Sequence, residues 1–91
     1  MKKLIQSPPP ALLGEIVRTV RRAQALTQAD LALAAGVSTP FLSALENGKS
    51  TVRLDVLLRV LNALNISINL SLPDNFDGLN LQRLANDSVL S

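Results

Sequence analysis

Between Thr27 and Gly48 the chain carries two helix-start signals and two helix-stop signals within twenty-two residues. That density leaves room for two short helices and a tight link between them. Thr27 can cap the free N–H groups of a new helix, and Asp30, three residues on, supplies the acidic half of a capping box. Leu31 and Ala34 are expected to face inward. Gly36 should stop this helix after about two and a half turns, because glycine accepts the left-handed conformation that follows a last turn. Ser38 then caps another helix, with Pro40 in its first turn, where a missing N–H is tolerated. Leu42 and Leu45 form its inward pair, and Asn47-Gly48 ends it.

The flanking sequence adds one helix on either side. Leu13, Ile16, Val17 and Val20 fall at helical spacing after Pro8-Pro9-Pro10, which predicts a helix from about Pro10 to Ala25. Arg18, Arg21 and Arg22 lie off that stripe as a basic face suited either to solvent or to phosphate. Leu54, Leu57, Leu58, Leu61 and Leu64 predict a further amphipathic helix, poorly capped by Arg53 but helped by Asp55 near its positive end. The period then changes. Ile66, Ile68, Leu70 and Leu72 alternate with polar residues, which predicts a half-buried β-strand closed by Pro73-Asp74-Asn75. The organisation expected is an arm at 1–10, one domain at 11–72 and an acidic tail at 73–91.

Composition removes whole classes of function. The chain has no Cys and no His, which excludes disulfides, thiolate or imidazole zinc sites, and Cys or Ser–His catalysis. Its carboxylates have helix-end tasks or stand apart, so no catalytic set and no metal spacing emerges, and neither an enzyme nor a cofactor is expected. Phe41 and Phe76 are the only aromatic residues, too few for the stacking platforms of RNA and single-strand binders. The net charge of +2 is unevenly spread. Residues 1–72 hold eight of nine Lys and Arg but four of seven acids, leaving +4; Arg83 against Asp74, Asp77 and Asp87 leaves the tail at −2. A basic body suits a polyanion. No stretch has the length and apolarity of a membrane span or signal peptide, so a cytoplasmic location, with no membrane partner, is expected.

Two short helices joined by a tight glycine-containing turn describe a helix-turn-helix. The residues themselves, Thr27-Gln28-Ala29-Asp30-Leu31-Ala32, then Ala35-Gly36-Val37-Ser38, then Leu42-Ser43-Ala44-Leu45-Glu46-Asn47-Gly48-Lys49, resemble the phage repressor/Cro (XRE) family over about Leu13 to Leu64. That resemblance implies a mainly α, lambda-repressor-like bundle of four to five helices. A strand directly after the last helix is similar to the HipB-like antitoxins of bacterial toxin–antitoxin pairs. Members of that group bind operator DNA as dimers and also hold a HipA-like kinase toxin.

By resemblance, the second helix of the motif would enter the DNA major groove N-terminus first. The contacts it implies are Ser38, Thr39, Pro40 and Ser43 toward bases or backbone, Gln28 toward a phosphate at the start of the first motif helix, and Asn47 and Lys49 toward the backbone. Thr39 and Ser43 offer single hydroxyls, and Pro40 can pack on a thymine methyl. None of the Gln, Asn or Arg bidentate readers stands on this face, so direct readout should be sparse. Phe41 lies between the groove side and the core side, with packing the favoured role. Residues Ile66, Ile68, Leu70 and Leu72 are expected to form the dimer. A strand needs a hydrogen-bonding neighbour; the arm Lys3–Gln6 can pair but is too brief to bury the whole edge, and the same strand of a second copy can do so. The expectation is a dimeric antitoxin that binds a palindromic operator, represses its own operon and neutralises a kinase-like toxin. A stand-alone repressor shares every DNA contact. A protein-interaction module that has lost DNA binding is the alternative from another class.

Overall fold

Helix α1 (Pro10–Ala23) begins where the proline run permits. Proline at the first helical position loses no intrahelical hydrogen bond, so the helix starts without a side-chain cap. The chain is described by a computed structural model over residues 9–74. Helix α1 stops two residues short of the expected Ala25. The Gln24 amide still donates to the Val20 and Arg21 carbonyls, but Ala25 has already turned left-handed at φ 58°.

Helix α2 (Gln28–Ala35) has both halves of the expected capping box. The Thr27 Oγ1 accepts from the Asp30 amide and Asp30 accepts from the Thr27 amide, each at 3.0 Å. Those bonds hold the Asp30 carboxyl below its ordinary pKa. Gly36 closes the helix at φ 69°, and the Val37 amide returns to the Ala32 carbonyl at 3.0 Å. Leu31 is inward as expected, but Ala34 is exposed, and Ala32 and Ala35 are buried instead. The reason is that α2 packs on two helices at once, α3 and α4. Its inward arc is therefore centred between Leu31 and Ala32, which turns Ala34 to the outside.

Helix α3 (Thr39–Glu46) is capped by Ser38, whose Oγ accepts from the Phe41 amide at 3.1 Å. Leu42 and Leu45 are both buried, against α1 and α2. Helix α4 (Leu54–Ala63) buries Leu57, Val60 and Leu61, with Leu64 just beyond its end. Leu54 and Leu58, expected in the same stripe, are instead 66% and 43% exposed. Leucine alone does not say which arc of a helix faces its own domain; Val60, outside the expected stripe, is fully buried.

Among the described residues, ten buried apolar side chains form one cluster, and Phe41 packs against it from the rim, the favoured of its two expected roles. Four helices make up the fold among the described residues. The strand expected over 66–72 is not formed there: these residues have no regular secondary structure in the single chain. A strand is a hydrogen-bonded pairing, and the described residues supply no second strand for it. Ile66 still packs against the core, its amide bonded to the Leu61 carbonyl at 2.9 Å. The arm at 1–8 and the tail from 75 onward lie outside the described residues.

Helix α1 meets α3 through Gly14, which is buried. A Cβ at this position would run into the Leu45 carbonyl and stand 3.3 Å from the Glu46 Cα. Both neighbours are backbone and cannot swing aside. Gly14→Ala is thus expected to destabilise the domain by about 1–3 kcal/mol as overpacking, although alanine is the better helix former by about 1 kcal/mol. A urea midpoint equal to or above that of the wild type would show that α1 can withdraw from α3 without cost.

Candidate nucleic-acid interface

The turn Gly36–Val37–Ser38 sets α3 across the end of α2, and the buried pair Leu42 and Leu45 fixes which face of α3 points out. Along that outward face Ser38, Thr39 and Pro40 are exposed, and Ser43 and Ala44 are half-buried. The first turn of α3 is therefore a rigid, polar end on an anchored helix. Ser38 uses its oxygen lone pair for the cap, which leaves its hydroxyl hydrogen free to donate outward. Asn47 and Lys49 follow at the other end, both exposed. The Asn47 side chain is not loose: its Oδ1 accepts from Arg18 at 3.1 Å, and its amide reaches the Ser43 hydroxyl at 3.5 Å.

Beneath this surface lies an ionic cluster that the sequence pattern does not announce. Glu46 is 4% exposed. Its carboxylate accepts from Arg21 Nε at 2.7 Å and from the second Arg21 nitrogen at 2.9 Å, a two-pronged pair of the kind Arg forms with carboxylates. Arg21 also donates to the Leu26 carbonyl at 2.8 Å. Arg18 stands 3.6 Å from the same carboxylate and donates to the Glu46 carbonyl at 3.1 Å. Burial pushes the Glu46 carboxyl up. The hydrogen bonds from Arg21 and Gln28, with the charges of Arg21 and Arg18, outweigh it and hold the group below its usual range. In return the Glu46 bond raises Arg21, against burial.

Arg18, Arg21 and Arg22 are accordingly not one basic face. Arg21 is buried, Arg18 is half-buried and tied to the end of α3, and Arg22 alone of the three is exposed. Gln28 is placed differently from a free surface amide as well. It is half-buried, and its Nε2 donates to Glu46 Oε1 at 3.1 Å. The cluster thus runs Arg21–Glu46–Gln28 and binds α1, the start of α2 and the end of α3 together. Gln28 keeps its carbonyl oxygen, its second N–H and the first backbone amides of α2 for an outside ligand. No buried side-chain nitrogen or oxygen among the described residues lacks a partner. None of their acidic side chains groups into a metal-holding set, and no described helix is long and apolar enough to cross a membrane.

A capped, core-anchored α3 set behind α2 by a three-residue turn defines a helix-turn-helix protein of the double-stranded-DNA-binding class. The helix-turn-helix family profile matches residues 17–70, and the chain belongs to that family, in its XRE branch. An uncharacterised HTH-type transcriptional regulator of Sinorhizobium fredii is 42% identical over 73 residues, covering 80% of this chain and 93% of that protein. Among solved structures, a HipB variant in complex with an O2 20-mer superposes with a TM-score of 0.68 at 26% identity, covering 76% of this chain and 96% of the other. A chain of a HipA–HipB–O2–O3 complex does so with a TM-score of 0.66 at 25% identity, covering 78% and 96%.

Proposed function

We propose that the chain is a dimeric transcription regulator that reads a palindromic operator through α3, represses its own operon, and neutralises a HipA-like kinase toxin by binding it. The observation that carries the DNA part is the first turn of α3: exposed Ser38, Thr39 and Pro40 on a helix whose opposite side is locked by Leu42 and Leu45. A rigid helix end of this kind fits the major groove, where base edges differ for all four pairs. Ser38, Thr39, Pro40 and Ser43 meet the bases and nearby backbone. Gln28, at the positive start of α2, takes a phosphate with the atoms that Glu46 leaves free. Asn47 and Lys49 hold the strand on the far side. Base contacts are few, so DNA shape and half-site spacing supply much of the specificity. Residues 73–91 carry a net charge of −2 and are dispensable for operator binding; deleting them should leave DNA affinity equal or slightly better.

The antitoxin half rests on the likeness to HipB chains, one of them in a complex with HipA. A stand-alone regulator is supported by the Sinorhizobium relative, named as an HTH-type transcriptional regulator. Co-expression with the product of the adjacent reading frame separates the two: an antitoxin co-purifies with it in fixed ratio, and a stand-alone regulator does not.

The DNA part is tested by fluorescence anisotropy on two duplexes, one from upstream of the chain's own gene and one of scrambled sequence. Lys49→Ala should weaken both alike and flatten the salt slope by ~1 for each phosphate left without its lysine. Thr39→Ala with Ser43→Ala should instead narrow the gap between the duplexes, by about 1 kcal/mol for each hydroxyl removed from a base edge. Preference that survives the double substitution would take α3's hydroxyls out of the readout. Failure of the wild type to bind either duplex would leave the protein-interaction reading.

A further inference from the structure

Beside the outward face of α3 runs a groove of about 380 Å3. Ser38, the cap of α3, forms one wall with Pro40 and Ala44 of the helix, and Lys49, Thr51 and Arg53 of the segment before α4 form the other. The groove is thus continuous with the surface proposed to meet DNA, and its second wall carries two cations and a hydroxyl. Arg53 does not reach out as a free charge. Its Nε and a terminal nitrogen fork onto the two Asp55 oxygens at 3.2 and 2.8 Å. The pair lies in the open, with Arg53 77% and Asp55 55% exposed. Asp55 is in turn 3.8 Å from Arg59, one turn further along α4, and Arg59 donates to the Gly36 carbonyl at 3.2 Å. Asp55 is therefore steadied from its own helix, while Arg53 sits on the loop side.

An exposed ion pair of this kind is weak and screened by salt. The same fork that grips a carboxylate grips two phosphate oxygens equally well. We infer that Arg53 is a backbone-phosphate ligand of this groove, and that Asp55 competes with the DNA for it. This rests on the DNA-binding reading above and extends it. In the free protein the guanidinium is held by Asp55; on the duplex it turns to the phosphodiester beside Lys49, and Asp55 keeps Arg59. Phosphate contacts carry no sequence information. The competition therefore lowers affinity for DNA of every sequence and leaves discrimination to α3.

The test uses the full chain and a labelled 20-base-pair duplex of scrambled sequence, titrated at several salt concentrations between about 50 and 200 mM. Arg53→Gln should weaken binding and flatten the salt slope by ~1 for each subunit bound. Asp55→Asn should tighten binding about two- to fivefold, the range expected for releasing an exposed pair. The double variant should bind as Arg53→Gln alone does, because Asp55 acts through Arg53. The inference is overturned if Arg53→Gln keeps the wild-type slope while Lys49→Ala lowers it, a result that leaves the wider DNA-binding reading standing. It is overturned equally if the gain from Asp55→Asn persists in full without Arg53, since that gain would then be the loss of one negative charge near DNA. A wild type that binds no duplex defeats the wider reading along with this one. Thermal melts of each variant, matched to the wild type, exclude a folding defect; Asp55→Ser, which keeps an oxygen at the start of α4, replaces Asp55→Asn if the latter melts early.

Discussion

Glu46→Ala is expected to cost about 3–5 kcal/mol of stability, the usual penalty for removing one partner of a buried ion pair. The substitution strands Arg21 in the interior with one remaining acceptor, the Leu26 carbonyl, and leaves Gln28 without its Glu46 bond. A domain of this size has roughly 3–10 kcal/mol in total, so the variant should lose a large part of its stability. Arg21→Met with Glu46→Leu removes both charges and should be far milder, because no buried charge is left unpaired. Urea unfolding of the two variants side by side checks this. Equal losses would mean that packing volume, not charge, is what the cluster supplies. The same cluster sets an acid limit. The Glu46 carboxyl lies below its ordinary value in the fold. Its contribution is complete above the unfolded carboxylate value of about 4.3 and disappears as pH falls through the lower folded value. The wild type should therefore lose stability on acidification below about pH 4, and Glu46→Gln should lose less over the same range.

Ile68→Asp with Leu70→Asp is expected to yield monomers that bind operator about 10²–10⁴ times more weakly, the gain that linking two modest sites normally gives. In the single chain Ile68, Leu70 and Leu72 stand exposed, Leu70 at 81%, and Leu54 and Leu58 of α4 are exposed too. Fully burying side chains of this size is worth about 1.5–3 kcal/mol each, so covering even some of them favours association. The alternation from Ile66 to Leu72 favours a strand, and a copy of the same strand in a two-fold arrangement would satisfy its backbone and cover these side chains. That two-fold would set two α3 helices one DNA turn apart, ~34–36 Å. Sedimentation checks the association and anisotropy the affinity. A double variant that stays dimeric, with wild-type affinity, would move the dimer contact elsewhere on the surface.

The helices are legible because their ends are written in local chemistry. Thr27 with Asp30, Gly36, Ser38 and Asn47-Gly48 act within a turn of their own position, so no tertiary knowledge is needed to place α2 and α3. Ala34, Leu54 and Leu58 depart from expectation because their facing depends on which neighbours a helix packs against. The ionic cluster is hidden for another reason. Arg21 follows Val17 by four residues and Glu46 follows Leu42 by four, so each extends a buried stripe. Opposite charges standing at core positions of two helices are the signal the sequence offers. Grouping Arg21 with its exposed neighbour Arg22 conceals it. The strand at 66–72 is a case where pattern alone does not suffice, since its partner is not among the described residues of one chain.

Selection of duplexes from a random pool by the full-length wild type tests the central claim most directly. If α3 of two paired chains enters successive major grooves, the recovered DNA will share a palindrome whose half-sites lie about 10–10.5 base pairs apart, centre to centre. Recovery of DNA with no shared sequence, or of single half-sites at no fixed spacing, would contradict it.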